Sequence, residues 1–357
     1  MLGPTGAGKS TLLCMLAAQF LRYADARVTV FDKGRSMLAM ALAVGGAHYE
    51  LTTDDGATGL APLAFIDSEA EASWAEDWIA SCVELQIGGA PSPQQAAQIR
   101  RAIAIMRQSP EGRTLTDFCA TVQDAGVRDA MRYYTLGQPL GNLLDARADG
   151  IGGRHLTVFE LDEMLSVGPR GALPVLLILF RRFERSLTGA PALLILDEAW
   201  MMLGHPVFAE KIREWLKTLR KANCAVVLAT QSLSDAARSG QLDVLLESCP
   251  TKILLPNEEA TRGGTEQVMG PRDLYTLFGL NAVEIDIIAT ATKKRDYYVI
   301  SPEGRRLIDL GLGPIALVFA GVSAKEDVAR IKALATAHGA AWPTQWLQEK
   351  GIADVSG

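Results

Sequence analysis

Gly3-Pro4-Thr5-Gly6-Ala7-Gly8-Lys9-Ser10-Thr11 is the stretch from which the rest of this 357-residue chain is read. Gly3, Gly8, Lys9 and Ser10 fill the spacing G-x-x-x-x-G-K-[ST], with Gly6 as a further glycine inside it. Glycines let the backbone turn tightly enough for several N–H groups to face one phosphate. Lys9 offers a mobile positive charge to the β- and γ-phosphates, and the Ser10 hydroxyl a ligand to Mg2+. Leu12, Leu13, Leu16 and Phe20 recur at helical spacing, so 11–23 reads as a helix whose positive N-terminus adds to the anion site. The plainer reading is a Gly-rich turn that merely opens a helix. Nucleotide binding, with ATP and Mg2+, is the stronger expectation. Such a loop normally follows a buried parallel strand, and here only Met1 and Leu2 precede it, so the chain is expected to be a fragment that starts at its own phosphate loop.

The length suits two or three domains, or one large core with an insertion. Hydrophobic content of 48% with 21% charged residues is that of a soluble globular chain able to bury a core. A net charge of −6 argues against coating nucleic acid by bulk electrostatics and leaves room for a local basic patch. Cys14, Cys82, Cys119, Cys224 and Cys249 are scattered and form no C-x-x-C, and the four histidines add no zinc spacing. Reduced thiols in a cytoplasmic protein are the expectation. The longest apolar run, Ala172 to Phe180, is too short to span a bilayer, so membrane contact is expected only through partners.

Arg27–Phe31 is a β-branched run ending in Asp32-Lys-Gly-Arg-Ser36, the profile of a buried parallel strand and a functional loop. A helix over Met37–Val44 and a short strand near Tyr49–Leu51 follow, and Leu60–Ile66 reads as an edge or connecting segment. From Ser68 the pattern changes. Trp74, Trp78, Ile79, Cys82 and Leu85 share one helical face, Ser92-Pro93 caps a helix carrying Ile99, Ile103 and Met106, and two shorter helices follow. The expected organisation is a nucleotide-binding core in two parts, 1–67 and 151–323, a helical insertion at 68–150, and a helical tail at 324–357. Strands return at His155–Leu161, Ala192–Leu196, Ala225–Ala229 and Thr251–Leu255, with helices between them. This alternation predicts an α/β fold with a parallel sheet. Tyr297–Ile300, Arg306–Leu310 and Ile315–Phe319 are three further strand-like runs.

Leu193-Leu-Ile-Leu-Asp197-Glu198 delivers two acids at the carboxyl end of a buried strand, where such sheets bind ligands. Asp197 is expected to hold Mg2+, and Glu198 to polarise the water that attacks the γ-phosphate. Asp162-Glu163 also follows a strand-like run, but Glu160 interrupts it and Asp162 can cap a helix instead, so Asp197 and Glu198 are preferred. Gln231 ends the neighbouring strand within Ala229-Thr-Gln-Ser232 and could contact the γ-phosphate or the attacking water. Arg220 has two readings: a basic residue in a helix's last turn, or an arginine finger for a neighbouring subunit, with Arg262 a weaker rival. Arg100, Arg101 and Arg107 read as a solvated helix face.

GPTGAGKST, VFDKGRS, GGAHYEL, LLILDEAW, LRKANCAVVLATQS and TKILLPNEEA occur in this order. Together they resemble the CagE–TrbE–VirB family of type IV secretion and conjugal-transfer ATPases, over nearly the whole chain from Gly3 to about residue 320. The resemblance implies a P-loop NTPase core, RecA-like and of the HerA–FtsK type, with a helical insertion. It implies a homo-oligomer, such as a hexamer, at the cytoplasmic face of the inner membrane. It also implies ATP hydrolysis that drives apparatus assembly or transport of DNA–protein complexes and pilus subunits, alongside other type IV secretion components. Lys9, Ser10, Asp197, Glu198 and Gln231 carry over as site residues, and Arg220 with them. The family's N-terminal domain has no counterpart here. A DNA translocase or coupling protein on the same core is the alternative, with Lys293-Lys294-Arg295 as its candidate basic patch. A non-enzymatic assembly module is the third reading.

Overall fold

Ala192–Leu196 shows why the sheet forms. Five consecutive apolar residues leave no polar face, and all five are buried, as expected for a strand covered on both sides. In the computed structural model, which describes residues 1–52, 58–198, 206–238, 242–265 and 268–352, the strands are β1 (Arg27–Asp32), β2 (Ala47–Glu50), β3 (Leu156–Glu160), β4 (Ala192–Leu196), β5 (Cys224–Leu228), β6 (Lys252–Leu254), β7 (Asp296–Ser301) and β8 (Gly304–Asp309). One sheet has the order β2-β3-β1-β4-β5 and a second the order β6-β7-β8. β4 is parallel to both β1 and β5, with Ala192 opposite Arg27 and Cys224. The second sheet is antiparallel throughout.

Met1–Gly3 take the place of a strand beside the phosphate loop. Leu2 bridges in parallel to Thr230, just past β5, and to Leu254 of β6. The Leu2 N–H donates to the Ile253 carbonyl at 2.9 Å, and its own carbonyl accepts from Leu255 N at 2.9 Å. On the other side the Met1 carbonyl accepts from Thr230 N at 3.1 Å, and Gly3 N donates to the Thr230 carbonyl at 3.3 Å. Three residues thus satisfy their backbone groups on both sides, as a buried strand must.

The described chain divides into two compact units: Met1–His48 with Arg154–Val158 and Leu187–Gly357, and Tyr49–Gly153 with Phe159–Ser186. In the first, Leu13, Cys14 and Ala17 of helix α1 (Lys9–Phe20) pack on Val28, Val30, Leu193 and Ile195. The tail helices Lys325–His338 and Trp342–Glu349 belong to this unit, with Trp342 and Trp346 buried against Leu38, Ala39 and Ile331. The expected strand at Ile315–Phe319 is instead part of a helix, Pro314–Ala320. Gly313 precedes it as N-cap and Pro314 sits at its first turn, where the missing N–H costs nothing and the fixed φ favours a helix.

The second unit, among its described residues, is built on helices, four of them started by a side-chain cap. Ser68, Ser92, Thr114 and Asp124 each accept a backbone N–H of the turn that follows. This unit reaches beyond the expected 68–150 segment, because the helix Pro169–Ser186 packs into it. Pro174 lies inside that helix, so the Arg170 carbonyl has lost its helical N–H donor. The Tyr134 hydroxyl replaces it, donating to Arg170 O at 3.0 Å, and in turn accepts from Gln86 Nε2 at 2.9 Å. The Trp78 indole N–H donates to the Pro174 carbonyl at 3.0 Å, and Arg181 pairs with Glu71 at 2.6 Å. Among the described residues no helix is long and apolar enough to cross a membrane.

Tyr134→Phe leaves the Arg170 carbonyl buried without a donor, which costs about 1–3 kcal/mol. A chemical denaturation midpoint should fall accordingly, whereas Tyr133→Phe, on the neighbouring ring, should change it by no more than about 0.5 kcal/mol.

Candidate functional site: a phosphate loop facing two acids

Each glycine of the loop has its own steric reason. Gly6 and Gly8 have φ of 78° and 104°, in the left-handed region that disfavours side chains. A Cβ on Gly3 would collide with Leu255 Cβ, and one on Gly8 would lie 2.5 Å from the Tyr297 hydroxyl and 2.9 Å from Lys294 Cα. Gly8 is also the N-cap of α1, so the loop hands over to the helix at Lys9.

Lys9 points inward and is buried. Its Nζ lies 2.5 Å from Asp197 Oδ1 and 2.5 Å from Glu198 Oε1, which puts the first turn of α1 against the carboxyl end of β4. Burial pushes the Asp197 carboxyl above its ordinary range, and the adjacent Lys9 ammonium opposes that rise. Glu198 has φ of 52°, a left-handed backbone uncommon for a residue with a side chain, and its N–H donates to Asp197 Oδ1 at 3.0 Å. One ammonium against two carboxylates makes a compact, charge-dense, water-poor cluster.

A cavity of about 530 Å3 opens over the loop, within the size range of small-ligand sites. Pro4, Thr5, Gly6, Gly8, Lys9, Ser10 and Thr11 line it, together with Gln231 and Ser36. Ala7, at the centre of the loop, is fully buried and holds it from below. The Thr5 hydroxyl donates to Gln231 Oε1, so Gln231 meets the loop as its position after β5 suggested. Ser36 is fixed by its own hydroxyl, which donates to Asp32 Oδ1 at 2.8 Å.

Other residues singled out in the sequence lie elsewhere. Arg220 is exposed in the short helix Leu219–Ala222, before β5, with the full length of that strand between it and Gln231. It does not join the site of its own chain. Arg262 pairs with Glu259 at 3.1 Å and lines a separate, smaller pocket. Asp162 and Glu163 are exposed in the first turn of Asp162–Ser166. Arg107 is tied to Glu69 at 2.8 Å. The basic run at 293–295 is not a free patch: Lys293 pairs with Glu258 and Arg295 with Asp309. Ala199 and Trp200, which complete the DEAW motif, lie outside the described residues. Tyr297 was missed by sequence reasoning, since no local pattern relates it to a loop 289 positions away.

Two substitutions test this geometry. Gly8→Ala meets both an unfavourable backbone, about 1–2 kcal/mol, and the Tyr297 hydroxyl. Gly88→Ala shares a positive φ of 79° but has open space around it. Gly8→Ala should therefore be the more destabilising by about 1 kcal/mol or more in matched thermal melts; equal losses would mean that the crowding is absent. The second concerns Asp197. An acid whose folded pKa is raised costs stability as pH rises above its ordinary value. Nucleotide-free Asp197→Asn should thus melt no lower than wild type at pH 7, and its advantage should shrink towards pH 4. A variant several degrees less stable at pH 7 would show that the pairing with Lys9 outweighs burial.

Comparison with known proteins agrees with these features. A family model described as the TraG P-loop domain matches residues 127–269. The conjugal transfer protein TrbE of Rhizobium radiobacter is 54% identical over 98% of this chain and 43% of its own length. A probable conjugal transfer protein TrbE of Sinorhizobium fredii is 49% identical over 99% of this chain and 53% of its own length. This chain therefore spans about half the length of the curated relatives it matches. The solved structure of VirB4 of Thermoanaerobacter pseudethanolicus superposes with a TM-score of 0.66 at 19% identity, over 88% of this chain and 90% of that one. That likeness shows the fold, a RecA-like P-loop α/β sheet. On its motifs, its fold and these identities, the chain belongs to the TrbE/VirB4 family of conjugal-transfer and type IV secretion proteins.

Proposed function

We propose that this chain is the ATP-binding and hydrolysing motor portion of a conjugal-transfer or type IV secretion ATPase. The observation that carries the reading is the Lys9 ammonium held between Asp197 and Glu198 at the mouth of a glycine-shaped loop. Lys9 would leave the acids to contact the β- and γ-phosphates, while the loop's N–H groups and the N-terminus of α1 cradle them. The donor set suits Mg2+: Asp197 and the Ser10 hydroxyl are hard oxygen ligands next to the phosphate seat. When bound, the ion would neutralise charge that develops on the phosphate oxygens. Glu198, freed from Lys9, would accept a hydrogen bond from the attacking water and draw off its proton. Gln231, held by Thr5, would contact the γ-phosphate or that water and carry its loss to the loop.

Arg220 would serve a second copy's nucleotide, consistent with its distance from its own, which makes a homo-oligomer, such as a hexamer, part of the proposal. Other type IV secretion components, and DNA or DNA–protein complexes as cargo, belong to it as well. So does a cytoplasmic position at the inner-membrane face, with the membrane contacted through partners. The basic run, largely neutralised by Glu258 and Asp309, gives the DNA-translocase alternative little support.

The test is a melt with and without Mg-ATP. A ligand at a hundred times its dissociation constant adds about 2.7 kcal/mol. Wild type should shift upward and Lys9→Ala should not, while Glu198→Gln should keep the shift and lose turnover by a factor of about a hundred or more. Turnover undiminished in Glu198→Gln would remove it from the mechanism.

A further inference from the structure

Two cationic side chains, Lys9 and Lys294, are the only charged groups lining the cavity over the loop among the described residues. Lys9 is already matched by two carboxylates. Lys294 has no acidic partner among the described residues, although both its neighbours do. Lys293 Nζ lies 2.7 Å from Glu258, and Arg295 makes a forked contact to Asp309 with its Nε and Nη2 at 2.7 to 3.0 Å. The run thus keeps one uncompensated charge, at the wall of the cavity.

The backbone fixes its place. Lys294 N–H donates to the Ala7 carbonyl at 2.9 Å, and the Tyr297 hydroxyl donates to the Gly8 carbonyl at 3.0 Å. The turn is closed on itself by Asp296, whose carboxylate accepts from Thr292 N at 2.8 Å and whose N–H donates to the Thr292 carbonyl at 2.9 Å. Lys294 has φ of 65°, a conformation that costs a side-chain-bearing residue energy and persists only where its surroundings impose it. Its Cα is one of the two atoms that leave Gly8 no room for a Cβ. The glycine and the lysine are therefore spatially coupled, although they stand near opposite ends of the chain.

We infer that Lys294 is a second cationic contact for the polyphosphate of the bound nucleoside triphosphate, supplied by the same chain from the turn that leads into β7. The inference rests on the nucleotide reading of the site and adds a residue to it. An unpaired ammonium at the rim of a polar cavity is free to move onto a phosphate oxygen without breaking an existing pair. Lys9 has to break two. Lys294 thus strengthens nucleotide capture, and its removal weakens binding more than it slows the chemical step.

The experiment measures Mg-ATP binding by titration of the full chain, alongside turnover, for wild type, Lys9→Ala, Lys294→Gln, Lys294→Arg and Lys293→Gln. Lys294→Gln should raise the dissociation constant and KM by about tenfold, the usual scale for losing one charge-assisted hydrogen bond, with kcat changed by less than about threefold. Lys294→Arg should restore binding to within about threefold of wild type, and Lys293→Gln should leave it unchanged. Nucleotide-free melts of all variants separate binding from folding, since glutamine meets the same backbone penalty as lysine. If Lys294→Gln binds Mg-ATP like wild type while Lys9→Ala does not, the inference fails and the nucleotide site stands. Unchanged nucleotide binding with weakened single-stranded DNA binding in Lys294→Gln would overturn it in favour of a nucleic-acid contact. If wild type binds no nucleotide at all, both readings fall together.

Discussion

A buried ammonium is tolerable only with anions beside it, and Lys9 has two. That requirement ties the start of α1 to the carboxyl end of β4, 188 residues along the chain, and so orients the parallel sheet relative to the loop. It also explains why the cluster suits a reaction. The two carboxylates are held in place by a cation whose partner in the proposed reaction is phosphate. Burial raises the Asp197 carboxyl while Lys9 opposes the rise, so the acid sits in an environment where a further cation would be welcome. Stability and the proposed chemistry thus draw on the same charges.

The loop is seated from three directions. Beneath it, Met1–Gly3 pair with the segments after β5 and along β6. Beside it, Gly3 approaches Leu255 so closely that no side chain fits. Above it, the turn before β7 touches Ala7 through Lys294 and Gly8 through Tyr297. The antiparallel sheet is therefore part of the loop's seat as well as packing for the core. Positive φ at Gly6 and Gly8 then turns the loop's amides inward.

The helical unit solves a different problem. Pro174 removes a hydrogen bond inside the apolar helix Pro169–Ser186, and a buried carbonyl cannot be left open. Tyr134 and Trp78 supply side-chain donors to that helix, so a local defect fixes where neighbouring helices lie. The unit's compactness follows from these polar anchors together with its apolar faces.

Much of this was legible in the sequence because it depends on neighbours a few residues apart. The phosphate-loop spacing, the apolar run Ala192–Leu196 ending in Asp197 and Glu198, and the caps Ser68 and Ser92 all obey short-range rules of backbone geometry and periodicity. Ile315–Phe319 misled because an apolar run of five has no decisive period, and Pro314 with Gly313 settled it as a helix. Membership of Phe159–Ser186 in the helical unit, the pairing of Lys293 and Arg295 with distant acids, and the placing of Lys294 and Tyr297 against the loop were decided only by tertiary structure. The reason is physical: period and propensity report the forces between residues within a turn or two. Which distant side chain meets a given carbonyl or cavity depends on how whole elements pack, and no local pattern records it.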